Sequence, residues 1–183
     1  MRGLLVVCVL SGQLLAACSG SGDRASVAQA QQKPAAPVAA STPAQKLVAA
    51  YLGVQQKLAA DDVKGASAAF AQLKAAAEVQ QLAGDAQLRQ RIVAAAASGA
   101  SAKDIGAART AFANSSDGLL EWLKREGNPL ASSVRVAHCP MARDGKGARW
   151  LQSDAKVRNP YFGSEMLECG SLEKEVKPGA KLD

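Results

Sequence analysis

The chain is poor in the residues from which most active sites are built: it holds one histidine, four cysteines and 4% aromatic residues. The histidine directly precedes a cysteine, and neighbouring residues in a strand point to opposite faces, so no Cys–His catalytic pair is indicated. C-x-x-C redox motifs, G-x-S-x-G elbows and phosphate-binding glycine loops are absent from the sequence. A catalytic zinc site usually needs more histidine or carboxylate ligands than are found together here. These absences predict a protein without catalytic activity.

Clustered positive charge is also lacking, although the formal net charge is +6. No run of lysine or arginine exceeds two residues, and few aromatic residues lie among them. A nucleic-acid surface usually combines clustered cations with aromatic side chains. We therefore expect no nucleic-acid partner.

The longest apolar stretch lies at the start of the chain and is too short to cross a bilayer. Arg2 precedes about a dozen mostly apolar residues, 4–15, whereas a membrane-spanning helix needs about 20. A positive start followed by a short apolar segment is typical of a cleaved signal peptide. The sequence predicts that residues 1–17 are such a peptide.

The end of this segment, Leu15-Ala16-Ala17-Cys18, resembles the lipobox of bacterial lipoproteins. The resemblance implies cleavage before Cys18 and lipidation of that cysteine, which would anchor the protein in a membrane. Ser19 follows, and by resemblance to Gram-negative sorting it implies the outer membrane, with the protein facing the periplasm. The rest of 18–42 is Gly, Ser, Ala, Gln and Pro with almost no large apolar residue, which predicts a flexible linker.

Residues 43–127 contain four stretches with apolar residues every three or four positions, the spacing of amphipathic helices. Thr42 is predicted to cap the first helix, and a capping box of Ser101 and Asp104 to open the fourth, which ends at Gly127. Connections of a few residues favour antiparallel neighbours. The fold prediction is therefore all-α: an antiparallel four-helix bundle with an irregular C-terminal segment packed against it.

The residues with distinctive chemistry fall in 128–171, predicted to be a Cys/Met-containing part of the same domain, before a charged tail at 172–183. They comprise the histidine, both methionines of the mature chain and the two cysteines left after processing and lipidation: His138, Cys139, Met141, Met166 and Cys169. Cysteine and methionine sulfur are soft ligands suited to Cu(I) or Ag(I), and imidazole can join them. Residues two apart in a strand, or three apart in a helix, share a face. The five side chains are therefore candidate metal ligands.

A structural disulfide between Cys139 and Cys169 is the alternative, because two such cysteines can pair in an oxidising periplasm. The two states can also alternate with the redox conditions, so that metal binding would need reduction.

The same segment resembles a known family through specific motifs. The matching residues are Cys139-Pro140-Met141-Ala142, Gly145, Gly147-Ala148, Trp150-Leu151, Asn159 to Gly163, Met166-Leu167 and Cys169-Gly170. They are similar to a bacterial family labelled as a domain of unknown function. That family occurs alone in exported proteins and on periplasmic adaptor subunits of heavy-metal efflux pumps that export copper and silver. Weaker matches in the helices, at Tyr51-Leu52, Ala108-Arg109 and Phe112, extend the resemblance to roughly residues 43–171.

The resemblance implies metal-related work in the cell envelope, with an efflux adaptor or another envelope protein as partner. Two hypotheses follow. The first is an envelope lipoprotein that binds or hands over Cu(I) or Ag(I) in metal homeostasis or efflux. The alternative is a non-catalytic structural or interaction lipoprotein domain locked by a Cys139–Cys169 disulfide.

Overall fold

The computed structural model describes residues 42–79 and 85–183. The predicted signal peptide 1–17, the lipidation site Cys18 and the linker up to residue 41 lie outside the described residues. The described part contains five helices, a 3₁₀ turn at Gly163–Glu165 and three strands. In chain order the elements are α1 Pro43–Ala59, α2 Val63–Ala77, α3 Ala86–Ala100, α4 Ile105–Glu126, β1 Val134–Cys139, α5 Ala142–Gly145, β2 Ala148–Gln152 and β3 Ser171–Val176.

The first helix begins where the sequence predicts. The Thr42 hydroxyl accepts a hydrogen bond from the Gln45 amide at 3.2 Å, and Gln45 Oε1 accepts one from the Thr42 amide at 2.9 Å. This reciprocal pair is a capping box, and it satisfies two amides that the first helical turn leaves without partners. Thr42 is therefore confirmed as the N-cap of α1.

The start of α4 differs from the prediction. Asp104 is the N-cap, and its carboxylate accepts the Ala107 amide at 2.8 Å, whereas the Ser101 hydroxyl hydrogen-bonds to Ala97 and Ser98 carbonyls in α3. The predicted Ser101–Asp104 box is wrong because Ser101 belongs to the end of the preceding helix.

Asp104→Ala is expected to lower the free energy of unfolding by about 1 kcal/mol, the usual effect of losing an N-cap. Ser101→Ala should cost clearly less, because an exposed hydroxyl bonded to carbonyls in its own helix adds little. Urea unfolding of both variants measures the difference. A larger loss for Ser101→Ala would contradict this assignment of the cap.

The four long helices pack in chain order, α1 on α2, α2 on α3 and α3 on α4, and α1 also contacts α4. The predicted apolar stripes face this core. Their fully buried members include Leu47, Tyr51, Val54, Leu58, Phe70, Leu73, Phe112, Leu119 and Leu123. Among the described helices none is both long enough and apolar enough to cross a membrane.

The all-α fold class is wrong, because the C-terminal part forms a three-stranded antiparallel sheet and not an irregular segment. The strand order is β2-β1-β3. Val136 pairs with Leu151 of β2, and His138 pairs with Ser171 of β3. The chain is thus a mixed helix and sheet fold.

Strand β3 lies mostly within 172–183, the segment predicted to be a charged tail. Four of its six residues are exposed and three are charged, as expected of an edge strand whose backbone pairs on one side only. Val176 and Leu182 are nevertheless buried. Backbone pairing with β1, which no local apolar pattern signals, decides the conformation here.

A row of aromatic rings joins the helices to the sheet. Tyr51 of α1 stacks on Phe112 of α4 with ring centroids 5.1 Å apart; Phe112 lies 5.6 Å from Tyr161, and Tyr161 lies 5.8 Å from Trp150 of β2. The Tyr51 hydroxyl also accepts the Leu151 amide at 3.3 Å. Its complete burial raises the pKa of Tyr51, so this hydroxyl stays neutral. The sheet is therefore fixed on the helices by ring packing and a buried hydrogen bond.

Candidate functional site

Two of the five predicted ligands meet at one end of the sheet. Cys139 is the last residue of β1 and is fully buried, and Cys169 precedes β3 and is half-buried. Their Sγ atoms lie 3.1 Å apart, although 30 positions separate the residues in the chain. The fold thus forms a dithiol with one sulfur in the core and the other near the surface.

This distance is longer than the ~2.05 Å of a disulfide bond, so the cysteines are present as a hydrogen-bonded pair of free thiols. The hydrogen bond to Cys139 raises the pKa of the Cys169 thiol above its ordinary value. The Cys169 thiol is therefore held protonated near neutral pH. A metal ion that binds the thiolates must displace protons, which makes binding tighter as the pH rises.

A close backbone approach brings Cys169 to Cys139. Gly170, the next residue, has φ of +121° and packs against the end of β1, where a Cβ on it would lie 2.4 Å from the His138 carbonyl oxygen. Only glycine adopts this φ readily and leaves that space open. Gly170 thereby lets the chain before β3 run directly beside Cys139.

Gly170→Ala is expected to lower the free energy of unfolding by about 1–3 kcal/mol more than Gly145→Ala, since overpacking adds to backbone strain. Gly145 is the matched control: its φ is also positive, +79°, but a Cβ there meets nothing within 4 Å. Urea unfolding compares the two. Equal losses would show that the approach to His138 is not tight.

His138 is placed elsewhere. It lies on the face of β1 opposite to Cys139, as strand alternation requires. Its Nδ1 is 3.4 Å from Glu173 Oε1, and it lines an open cavity of about 750 Å³ beside Glu173 and Arg149. The imidazole therefore belongs to a polar groove between the sheet and α4 and not to the sulfur pair.

Met141 faces a cavity that neither cysteine lines, and Met166 lies in the loop that leads to Cys169. Strand β1 ends at Cys139, and Met141 has helical backbone angles, so the two-residue alternation expected of an extended chain stops there. The Met141 side chain is 55% exposed and lines a cavity of about 290 Å³ with Arg109 and Tyr161. Met166 is half-buried, and its carbonyl accepts the Cys169 amide at 3.0 Å. Within the described residues no three His, Cys, Asp or Glu side chains form a group that could hold a metal ion.

Polar contacts that the sequence did not single out dock the loop before Cys169 on the helices. Asp61, between α1 and α2, accepts hydrogen bonds from the Ser164 amide and hydroxyl at 2.8 and 2.7 Å. Arg109 of α4 donates to Asp61 at 2.7 Å and to the Pro160 carbonyl at 3.0 Å. The bond from the Ser164 hydroxyl is the main cause that lowers the pKa of Asp61. The only sequence signal was the family motif, which includes Arg109 and Pro160.

Comparisons of the chain with family models, curated proteins and solved structures find no match.

Proposed function

We propose that this chain is a lipid-anchored protein of the bacterial cell envelope that binds a soft metal ion, Cu(I) or Ag(I), through Cys139 and Cys169. The observation that carries the proposal is the 3.1 Å distance between their sulfur atoms. Thiolates prefer soft cations, and two thiolates can hold one Cu(I) or Ag(I) ion once the sulfur atoms move apart to place the ion between them. The half-buried Cys169 gives an ion access from the surface, while the buried Cys139 keeps competing ligands away.

The lipobox-like segment before Cys18 and the motif resemblance support the setting. Anchoring through lipid on Cys18 would hold the domain on the periplasmic side of the outer membrane. There it would sequester the ion or pass it to an efflux adaptor or another envelope protein. The proposed role is binding and not catalysis: among the described residues, no histidine, aspartate or glutamate forms a group with the two thiols.

The second candidate is the structural one, in which the pair forms a disulfide and the domain serves as a docking module. It is favoured by the depth of Cys139 and by the small movement, about 1 Å, that would bring the sulfur atoms to bonding distance. The two candidate functions differ in whether Cys139 and Cys169 are free thiols or a disulfide in the cell envelope.

The test is a Cu(I) titration of the full chain in detergent against a competing chelator, with the pair reduced and then oxidised. We expect one tightly bound ion per reduced protein and loss of that binding on oxidation. Cys139→Ser and Cys169→Ser should each abolish it. Met141→Leu is the matched control, because its exposed side chain lines another cavity, and its binding should equal that of wild type. No binding to the reduced protein would favour the structural candidate.

A further inference from the structure

Two Asn-Pro pairs recur in the C-terminal part and form the same contact. Asn128 and Asn159 are both buried, and Oδ1 of each accepts the amide two residues ahead, from Leu130 at 3.0 Å and Tyr161 at 2.8 Å. In each case the side-chain amide then donates to the backbone beside β3. Asn128 bonds the Val176 carbonyl at the end of the strand, and Asn159 bonds the Cys169 carbonyl before its start, both at 2.9 Å.

The two asparagines thus hold opposite ends of one edge strand, and only Asn159 holds the end that carries a thiol. Asn159 forms a second hydrogen bond with this segment, because its backbone amide donates to the Leu167 carbonyl at 2.7 Å. The position of Cys169 is therefore fixed by two hydrogen bonds from Asn159, one to the carbonyl of Cys169 itself and one to the carbonyl of Leu167. Because Asn159 is fully buried, solvent cannot replace these bonds without the loop opening.

We propose that Asn159 is the positioning residue that sets the thiol–disulfide equilibrium of Cys139 and Cys169. Because Asn159 keeps Cys169 beside Cys139, the two thiols have a high effective concentration toward each other. This favours formation of the disulfide that joins them. The reaction is exchange with a low-molecular-weight disulfide such as oxidised glutathione. A Cys thiolate attacks one glutathione sulfur and releases one glutathione thiol; the second Cys thiolate then attacks the mixed disulfide and releases the other. The protein pair loses two electrons and two protons, and one glutathione disulfide becomes two thiols.

This inference rests on the proposed function only because both concern the same pair, Cys139 and Cys169; it does not require that the pair bind a metal ion. The Asn159 side chain hydrogen-bonds to the Cys169 carbonyl and to neither sulfur atom, so it acts through the backbone of Cys169. A merely stabilising residue would change the melting temperature without changing the exchange equilibrium of the folded protein. Asn128 supplies that comparison, since it has the same bonding pattern at the other end of β3.

The experiment equilibrates the full chain in detergent with glutathione buffers and quantifies the Cys139 and Cys169 peptides by differential alkylation and mass spectrometry. Asn159→Ser introduces a hydroxyl that can still accept the Tyr161 amide but is too short to reach the Cys169 carbonyl. We expect its equilibrium constant for disulfide formation to fall about tenfold, because a Cys169 that is no longer held in place meets Cys139 at a lower effective concentration. Asn128→Ser should stay within about twofold of wild type even where its melting temperature falls equally.

An Asn159→Ser constant within twofold of wild type, or an equal change in Asn128→Ser, would overturn the proposal. Circular dichroism establishes that each variant is folded at the temperature used. Should Asn159→Ser not fold, Asn159→Asp, which keeps the size and the acceptor, is used at neutral pH with the same expected direction. Failure of the proposed function is a separate result: wild type then binds no Cu(I), while the glutathione equilibrium can still be measured.

Discussion

Oxidation of Cys139 and Cys169 to a disulfide is expected to raise the free energy of unfolding by about 3–4 kcal/mol. The bond would close a loop between residues 30 positions apart, which restricts the unfolded chain far more than the folded one. Little strain should offset this gain, because the sulfur atoms already lie 3.1 Å apart. The closed loop includes β2, so the bond would secure the sheet as well as its end.

Urea unfolding of the full chain, reduced and oxidised, measures this difference. Cys169→Ser is the control, since its stability should be the same under both conditions. Equal stability of oxidised and reduced wild type, with the bond confirmed by mass spectrometry, would show that the pair is strained or that the loop stays ordered when the protein unfolds.

Gln152→Leu is expected to lower the free energy of unfolding by about 3–5 kcal/mol, because it breaks a buried network and leaves several polar groups without partners. Oε1 of Gln152 accepts the Trp150 indole N–H and the Arg158 amide, both at 3.1 Å. Its amide nitrogen donates to the carbonyls of Asp154 at 3.0 Å and Lys156 at 2.6 Å. One fully buried side chain thus shapes the whole loop after β2.

Gln55→Leu is the matched variant, since Gln55 is also fully buried and also contacts this loop. It makes one hydrogen bond, from its amide to the Arg158 carbonyl at 2.7 Å, and within the described residues its Oε1 has no partner. Its replacement should therefore cost about 1 kcal/mol or less. Urea unfolding of both variants tests the contrast, and equal losses would contradict the assigned role of Gln152.

The helical half could be predicted because its signals are local. In α1 the cap, the proline after it and the stripe from Leu47 to Leu58 all lie within one stretch, and each indicates the same structure. The start of α4 was misassigned because Ser101 and Asp104 are both good caps, and only the end of α3 decides between them.

The sheet could not be predicted in the same way because its pairing is non-local. Val134 and Val136 alternate as in a strand, but β2 has three consecutive buried residues, Trp150 to Gln152. Charged β3 is a strand because β1 offers it a free edge. No pattern within either segment specifies that partner.

The candidate site was predictable in part. The pairing of Cys139 with Cys169 followed from their number and their chemistry, whereas the inclusion of Met141 depended on an extended chain that in fact turns after Cys139. Asn159 and Gly170 lay within the motifs, but their contacts with Cys169 and His138 exist only once β3 pairs with β1.

The central claim is that Cys139 and Cys169 together bind one soft metal ion, and X-ray absorption at the copper edge of the reduced, Cu(I)-loaded full chain tests it most directly. The account predicts one copper per protein with two sulfur neighbours and no nitrogen, and loss of that signal in Cys139→Ser. A nitrogen neighbour, more than two sulfur atoms, or copper that washes off the reduced protein would contradict it.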